Sequence, residues 1–340
     1  METRKLQCVG GGTYTVSLPK GWATDHGVQP STEVHLYTHR DGSIVVRPGP
    51  RDGGNLTDAT VELVGDSPAL AERAVRAAYA AGFESVTLEH AGTFTDEQRR
   101  HVERVARSLT GTAAEGEGTD GVVLRSLLDA SDVSVRQTVV QVRFTALSMY
   151  RRATAALVDG ETGVAAKLAD RREEAERLAA LLERQHNRSL VAMYTVDELE
   201  TSRPALADHA EAATLLAAVA GDAVSLAEAA DGAGPPLPET AAAAFHDGVE
   251  AARRAIEVAT EALLDGASVA AAATALEHAG TATDRFDALD RSLREGEFGV
   301  EERGRLVSLA RGLDAVERTA DRAADLAELT LRSAVRRDSI

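Results

Sequence analysis

Cysteine is nearly absent from this 340-residue chain. Cys8 is the only one, so neither an intramolecular disulfide nor a cysteine-built metal site can form. Aromatic side chains make up 4% of residues, against 44% hydrophobic overall, and alanine fills much of the second half. That balance disfavours a β-sandwich and favours helices packed at close range. Lysine is scarce as well: Lys5, Lys20 and Lys167 are the only three among 37 basic residues, and the other 34 are arginine. No apolar run approaches the roughly 20 residues that span a bilayer. The first 30 residues lack the apolar stretch of a secretory signal, so a cytoplasmic protein is expected.

Enzyme motifs are missing too. There is no Gly-x-x-x-x-Gly-Lys-Ser/Thr and no Gly-x-Ser-x-Gly. Gly10-Gly11-Gly12 follows a strand pattern but leads into another strand, so it lacks the helix N-terminus of a phosphate cradle. The nine histidines are scattered, and His246 with Glu250 has the i,i+4 spacing common on exposed helices. A non-enzymatic protein is expected.

What the chain has in excess is acid. Its net charge is -17. An acid-rich, lysine-poor surface suits a proteome at very high salt, where self-repulsion is screened. An arginine- and alanine-rich protein from a GC-rich genome is the other reading. A chain this acidic binds nucleic acid only through a locally basic module. Residues 1–56 hold six basic and five acidic side chains, net +1, which leaves 31 basic and 49 acidic side chains, net -18, for the rest. The boundary between the two falls in the Gly/Pro-rich stretch 48–55.

Before that boundary the pattern is β. Arg4–Val9 and Thr13–Leu18 alternate around the glycine triplet. Pro19 opens a short helix through His26. Glu33–Thr38 and Ser43–Arg47 flank an Asp41-Gly42 turn. Four short strands cannot bury a core alone, so the unit requires a partner, most simply its own copy. Residues 57–125 read as a small α/β unit: strands at 59–64, 85–88 and 121–124, helices at 68–80 and 95–109, and a loop or weak hairpin at 111–121. From Ser126 onward the pattern is helical, with about three long helices on each side of Gly234-Pro235-Pro236-Leu237-Pro238.

The two helical halves read as copies. Residues 153–160 and 259–266 are identical at six of eight positions, including the terminal Asp-Gly. Glu176-Arg177-Leu178 aligns with Asp284-Arg285-Phe286, and Ala223–Glu228 aligns with Ala323–Glu328. Three matches in one order, each about 100 residues apart, point to duplication, with chance similarity among alanine-rich helices as the alternative.

On the last helix Glu317, Asp321 and Asp325 recur every four residues and share a face. Such carboxylates can hold hard cations or iron within a bundle, with Asp284 and Asp287 on the preceding helix as further ligands and Asp170 and Glu174 as counterparts in the first half. The other reading is a salt-bridge ladder, since Arg318 and Arg322 interleave with Asp314, Glu317, Asp321 and Asp325. The run Glu317–Glu328 resembles the repeat signature of the PhoU family. Arg171–Leu178 with Glu183-Arg184-Gln185 resembles a segment of archaeal PhoU-like regulators. Arg4–Gln7, Gly11–Tyr14 and Ser17–Trp22 resemble the opening of those proteins and, more loosely, AbrB/SpoVT-type domains.

The resemblance implies a mainly α fold: two tandem PhoU-type three-helix bundles at 126–232 and 237–336, a small α/β unit at 57–125, and an AbrB-like swapped-hairpin β domain at 1–48. It also implies a regulator of phosphate uptake that acts on a phosphate ABC transporter ATPase or a sensor protein, as a homodimer, with a divalent metal or iron on the acidic stripe. In AbrB-type domains basic residues of an interleaved dimer contact DNA; here the candidates are Arg4, Lys5, Lys20, Arg40 and Arg47. The basic residue that usually follows the family's Pro-Lys is absent, because Gly21-Trp22 stands there. A dimerisation barrel without DNA contact therefore stays open. So do an AbrB-type transcriptional regulator with a PhoU-like sensor half, and a metal-binding scaffold.

Overall fold

The computed structural model of the protein describes residues 3–39, 42–49, 56–65, 67–90, 92, 94–115, 121–192, 194–300 and 302–338. The chain divides into two compact units, Met1–Gly54 and Asn55–Ile340.

The first unit contains strands β1 (Gln7–Val9) and β2 (Thr13–Thr15), helix α1 (Lys20–Asp25), and strands β3 (His35–Thr38) and β4 (Ile44–Arg47). β1 and β2 pair antiparallel with Gln7 opposite Thr15, and β3 and β4 pair with His35 opposite Arg47. The first two strands are shorter than their alternation predicts, because each pairs only with its own hairpin partner. The hairpins remain two separate two-stranded sheets. Among the described residues of this unit none is buried. Leu6, Tyr14, Leu36 and Ile44 are 63–72% exposed. Cys8 is exposed, because one copy of this unit has no core.

The second unit opens with an α/β layer. Its strands β5 (Asp58–Leu63), β6 (Ser85–His90), β7 (Thr112–Glu115) and β8 (Gly121–Ser126) lie in the order β5-β6-β8-β7. β5 and β6 are parallel and the other pairs antiparallel, so the segment 111–121 contributes an edge strand. Helices α2 (Pro68–Ala81) and α3 (Asp96–Ser108) cover one face. Val75, Tyr79, Val102 and Val105 from those helices close on Val86, Leu88, Val122 and Leu124. Pro68 sits in the first turn of α2, and Gly82, at φ 96°, ends the helix. Thr95 and Gln98 form a reciprocal cap on α3.

Seven helices follow. α4 (Val135–Asp159), α5 (Val164–Val191) and α7 (Arg203–Ala233) pack together, with the short α6 (Tyr194–Glu198) between α5 and α7 in sequence. α8 (Glu239–Asp265), α9 (Val269–Arg294) and α10 (Arg303–Asp338) form a second three-helix set. The fold is therefore mainly helical with paired bundles, as the alanine-rich pattern predicts. Serine caps begin α4, α7 and α9 through Ser134, Ser202 and Ser268. Gly160 and Gly266 end α4 and α8 at φ 68° and 101°. A Cβ on Gly160 would lie 2.6 Å from the Gly234 carbonyl, so the linker between the sets crosses tightly over this turn. One continuous core joins both sets, with α7 against α10 and α4 against α8.

One expectation needs correction. Helix α7 is long and apolar enough to cross a membrane by length and composition, whereas no apolar run of that length was expected. In this fold 67% of its apolar window is buried within the protein, which is how a central bundle helix satisfies the same test.

Candidate nucleic-acid interface and acidic stripe

The basic candidates of the first unit cluster by position along its hairpins. Arg4 and Lys5 are exposed and precede β1, at the open end of the first hairpin. Arg4 Nη1 donates to the Thr3 carbonyl at 3.2 Å. Lys20 is exposed and begins α1, which follows β2. Arg47 ends β4, half-buried, at the open end of the second hairpin. Arg40 lies outside the described residues, as does Asp41 of the expected turn. Gly42 takes φ 83°, and its N–H donates to the His39 carbonyl at 3.0 Å. The exposed face of β3 and β4 carries Leu36, Thr38, Ile44 and Val46, paired Leu36 to Val46 and Thr38 to Ile44. Trp22 stacks on His26 with ring centroids 5.1 Å apart. Cationic residues and unburied apolar residues thus occupy the same small unit, the chemistry of a surface that needs a partner.

The acidic stripe is arranged differently from the ladder reading. Among the described residues Arg318 Nε and Arg322 Nε reach across to Asp222 of α7, Oδ1 at 2.7 Å and Oδ2 at 2.8 Å, and not along α10. The Asp222 side chain is only 7% exposed. Burial, then Asp290, Asp314, Asp287 and Asp321, hold the Glu317 carboxyl above its ordinary range. Glu317 of α10 therefore lies near Asp290 and Asp287 of α9. Asp284 and Asp325 are exposed and are not among the charges acting on Glu317. Among the described residues no group of three or more His, Cys, Asp or Glu side chains is placed to hold a metal ion. In the first set Glu174 accepts from Gln141 Nε2 at 2.9 Å.

The strongest polar contacts escaped sequence reasoning. Arg184, 3% exposed, donates from Nη1 to the Tyr79 carbonyl and from Nη2 to the Phe83 carbonyl, each at 2.7 Å. Asn187 Nδ2 reaches the Ala80 carbonyl, and Arg188 Nη1 the Gly82 carbonyl, each at 2.8 Å. The C-terminal half of α5 thereby caps the carbonyl end of α2, where partial negative charge favours a cation. Burial, then the neighbouring Arg188, pulls Arg184 down to about 10. Its guanidinium also lies 4.9 Å from the Tyr79 ring centre. The Arg184-Gln185 pair was visible in the sequence, but nothing local shows that its partners are carbonyls about 100 residues away.

Residues 9–53 match the family model described as antidote-toxin recognition MazE, bacterial antitoxin. The first unit is an AbrB/MazE-like module, the type expected from Arg4–Trp22, and a module of the regulator type. The match runs from Val9, the last residue of β1, through β4 and includes Lys20, Arg40 and Arg47, whereas Arg4 and Lys5 precede it. No curated protein and no solved structure matches the chain.

Proposed function

We propose that this chain is a dimeric regulator of phosphate uptake, in which the MazE-like module joins two copies and the paired helical sets carry the regulatory contacts. What supports the reading is the pair of three-helix sets, the resemblance of the Glu317–Glu328 run on the last helix, and the AbrB-like module at the N-terminus. Dimerisation is supported by the module itself: no described residue in it is buried, and Leu36, Ile44 and Val46 line one hairpin face. An interleaved second copy would supply the missing core. The partner is the ATPase of a phosphate ABC transporter or a sensor protein. Deleting the gene and following phosphate accumulation under phosphate excess tests the proposal. Altered accumulation, restored by the intact gene, is expected; uptake identical to the parent strain overturns it.

A transcriptional regulator with a helical sensor half is the second reading, favoured by the family match on residues 9–53 and by the local net charge of +1. Phosphate contacts from paired copies of Arg4, Lys5, Lys20, Arg40 and Arg47 would supply the affinity. Gel shifts with promoter fragments at low and at molar KCl separate the readings. A sequence-dependent shift favours this second one, and no shift in either salt removes it.

A further inference from the structure

A cleft of about 290 Å³ opens between α2, α3 and α5, where the α/β layer meets the first helical set. Its walls carry Arg76 from α2, His101 and Arg104 from α3, and Arg177 from α5. Two of the carboxylates in the cleft are already engaged. Glu72 Oε1 accepts from Arg76 and its Oε2 lies 3.1 Å from His101 Nε2, while Glu176 Oε1 accepts from Arg172 Nε at 2.7 Å. Arg104 and Arg177 have neither hydrogen bond nor ion pair among the described residues. Glu173 is the one remaining acid in the lining, against two open guanidiniums.

The spacing along α5 sharpens the contrast. Arg177, Arg184 and Arg188 lie on one stripe, seven and four residues apart. At the closed end of the stripe Arg184 and Arg188 find carbonyls of the α2 terminus. At the open end Arg177 faces solvent in the cleft beside Arg104, a cation opposite a cation. The lining balances three arginines against three glutamates with His101 beside them, in a chain of net charge -17, and two of those glutamates are held by other partners. Guanidinium forks from two layers around one small cleft match the oxygens of a tetrahedral dianion, which Arg binds in pairs of parallel bonds.

We infer that this cleft binds a phosphoryl dianion, gripped by Arg104 and Arg177 and flanked by Arg76, and that the bound group fastens the α/β layer to the first helical set. Inorganic phosphate and the terminal phosphate of a nucleotide share this chemistry. The inference deepens the phosphate reading by giving it an effector site, and it rests on that reading only for its biological meaning.

Isothermal titration of the full-length protein with inorganic phosphate and, separately, with ATP tests it. The variants are Arg104→Gln and Arg177→Gln, with Arg104→Lys and Arg177→Lys as conservative partners. Arg107→Gln, whose side chain pairs with Glu103 along α3, is the control. Saturable binding of at least one ligand is expected, weakened tenfold or more by each Gln variant, less by each Lys variant and not by the control. The ligand that binds identifies the source of the group. Circular dichroism establishes that each variant keeps its helices. Absence of binding of both ligands to the wild-type chain overturns the inference, as does unchanged affinity in folded Gln variants. Failed binding with altered phosphate accumulation in the deletion strain would remove this site alone. Intact binding without that phenotype would remove the regulatory reading alone.

Discussion

Asp222 of α7 and Arg322 of α10 are bonded to each other, and each immediately precedes one of two aligned stretches of sequence. The alignment of Ala223–Glu228 with Ala323–Glu328 makes residue 222 the counterpart of residue 322. The two side chains meet at 2.8 Å, where α7 crosses α10 antiparallel. Asp208 with Arg336 and Glu211 with Arg332 continue the same antiparallel crossing toward the start of α7. A position that meets its own copy lies on a local two-fold axis, as in a symmetric dimer. An identical charge there would repel itself. Opposite charges at the two positions attract instead, and Arg318 adds a second donor to the same carboxylate.

Removing that carboxylate should therefore loosen the joint between the two helical sets. Breaking a buried ion pair costs roughly 3–5 kcal/mol when the remaining charge stays buried. Here Arg318 and Arg322 are 43% and 29% exposed, so their charges can recover water. Asp222→Ala is expected to cost about 2 kcal/mol, less than the buried limit. Guanidinium denaturation reads it as a lower midpoint at unchanged slope. A midpoint equal to wild type would place the Asp222 pair among the inert ones.

Arg184→Met should uncouple the α/β layer from the helices. It removes two charge-assisted bonds to carbonyls and leaves the end of α2 capped by Asn187 and Arg188 alone, at a cost of about 2–3 kcal/mol. Hydrogen exchange should accelerate through α2 and its following turn while α8 to α10 stay protected. Arg184→Lys should rescue little, because one ammonium cannot span the Tyr79 and Phe83 carbonyls. Uniform acceleration over all helices would contradict a local coupling role.

Two glutamates should respond to pH with opposite signs. A hydrogen bond from Arg253, with a second from Arg254, holds Glu250 down to about 2. A carboxyl lowered on folding contributes stability above its unfolded value and loses it as pH falls through its folded value. Glu250→Gln should therefore be less stable than wild type at neutral pH, by well under 1 kcal/mol for so exposed a group. The difference should vanish as pH falls toward about 2. Glu317 is raised by burial and by Asp290, Asp314, Asp287 and Asp321. Its favourable contribution is present below the unfolded value and is lost as pH rises through the folded one. Glu317→Gln should gain stability at neutral pH and match wild type in acid. Thermal unfolding across pH measures both, and equal shifts of the same sign would refute the assignment.

Charge on the open hairpin face should separate the proposed dimer. Leu36 and Ile44 are both 63% exposed within one copy. Leu36→Asp combined with Ile44→Asp should leave the helical circular dichroism unchanged while light scattering reports half the wild-type mass. A wild-type chain that runs as a monomer, or a double variant that stays dimeric, would exclude this face as the contact.

By itself the sequence determined where most elements lie. Periodicity of 3.6 marked the long helices, Gly160 and Gly266 marked two of their ends, and alternation around glycine marked the hairpins. The N-terminal module type was legible in Arg4–Trp22, and local charge counting isolated it from the acidic remainder. The edge strand Thr112–Glu115 was obscured because a short Thr-Ala-Ala-Glu run carries little strand preference and is held by its neighbour β8. Only the tertiary structure decided which charges meet. Arg318 has an acid four residues before it, and still its partner is Asp222 on another helix. Arg184 finds carbonyls, and Arg177, two turns earlier, finds an open cleft. A side chain's own helix fixes the direction it points, through a local spacing that a sequence displays. What waits in that direction depends on how helices distant in sequence pack, and no local pattern encodes it.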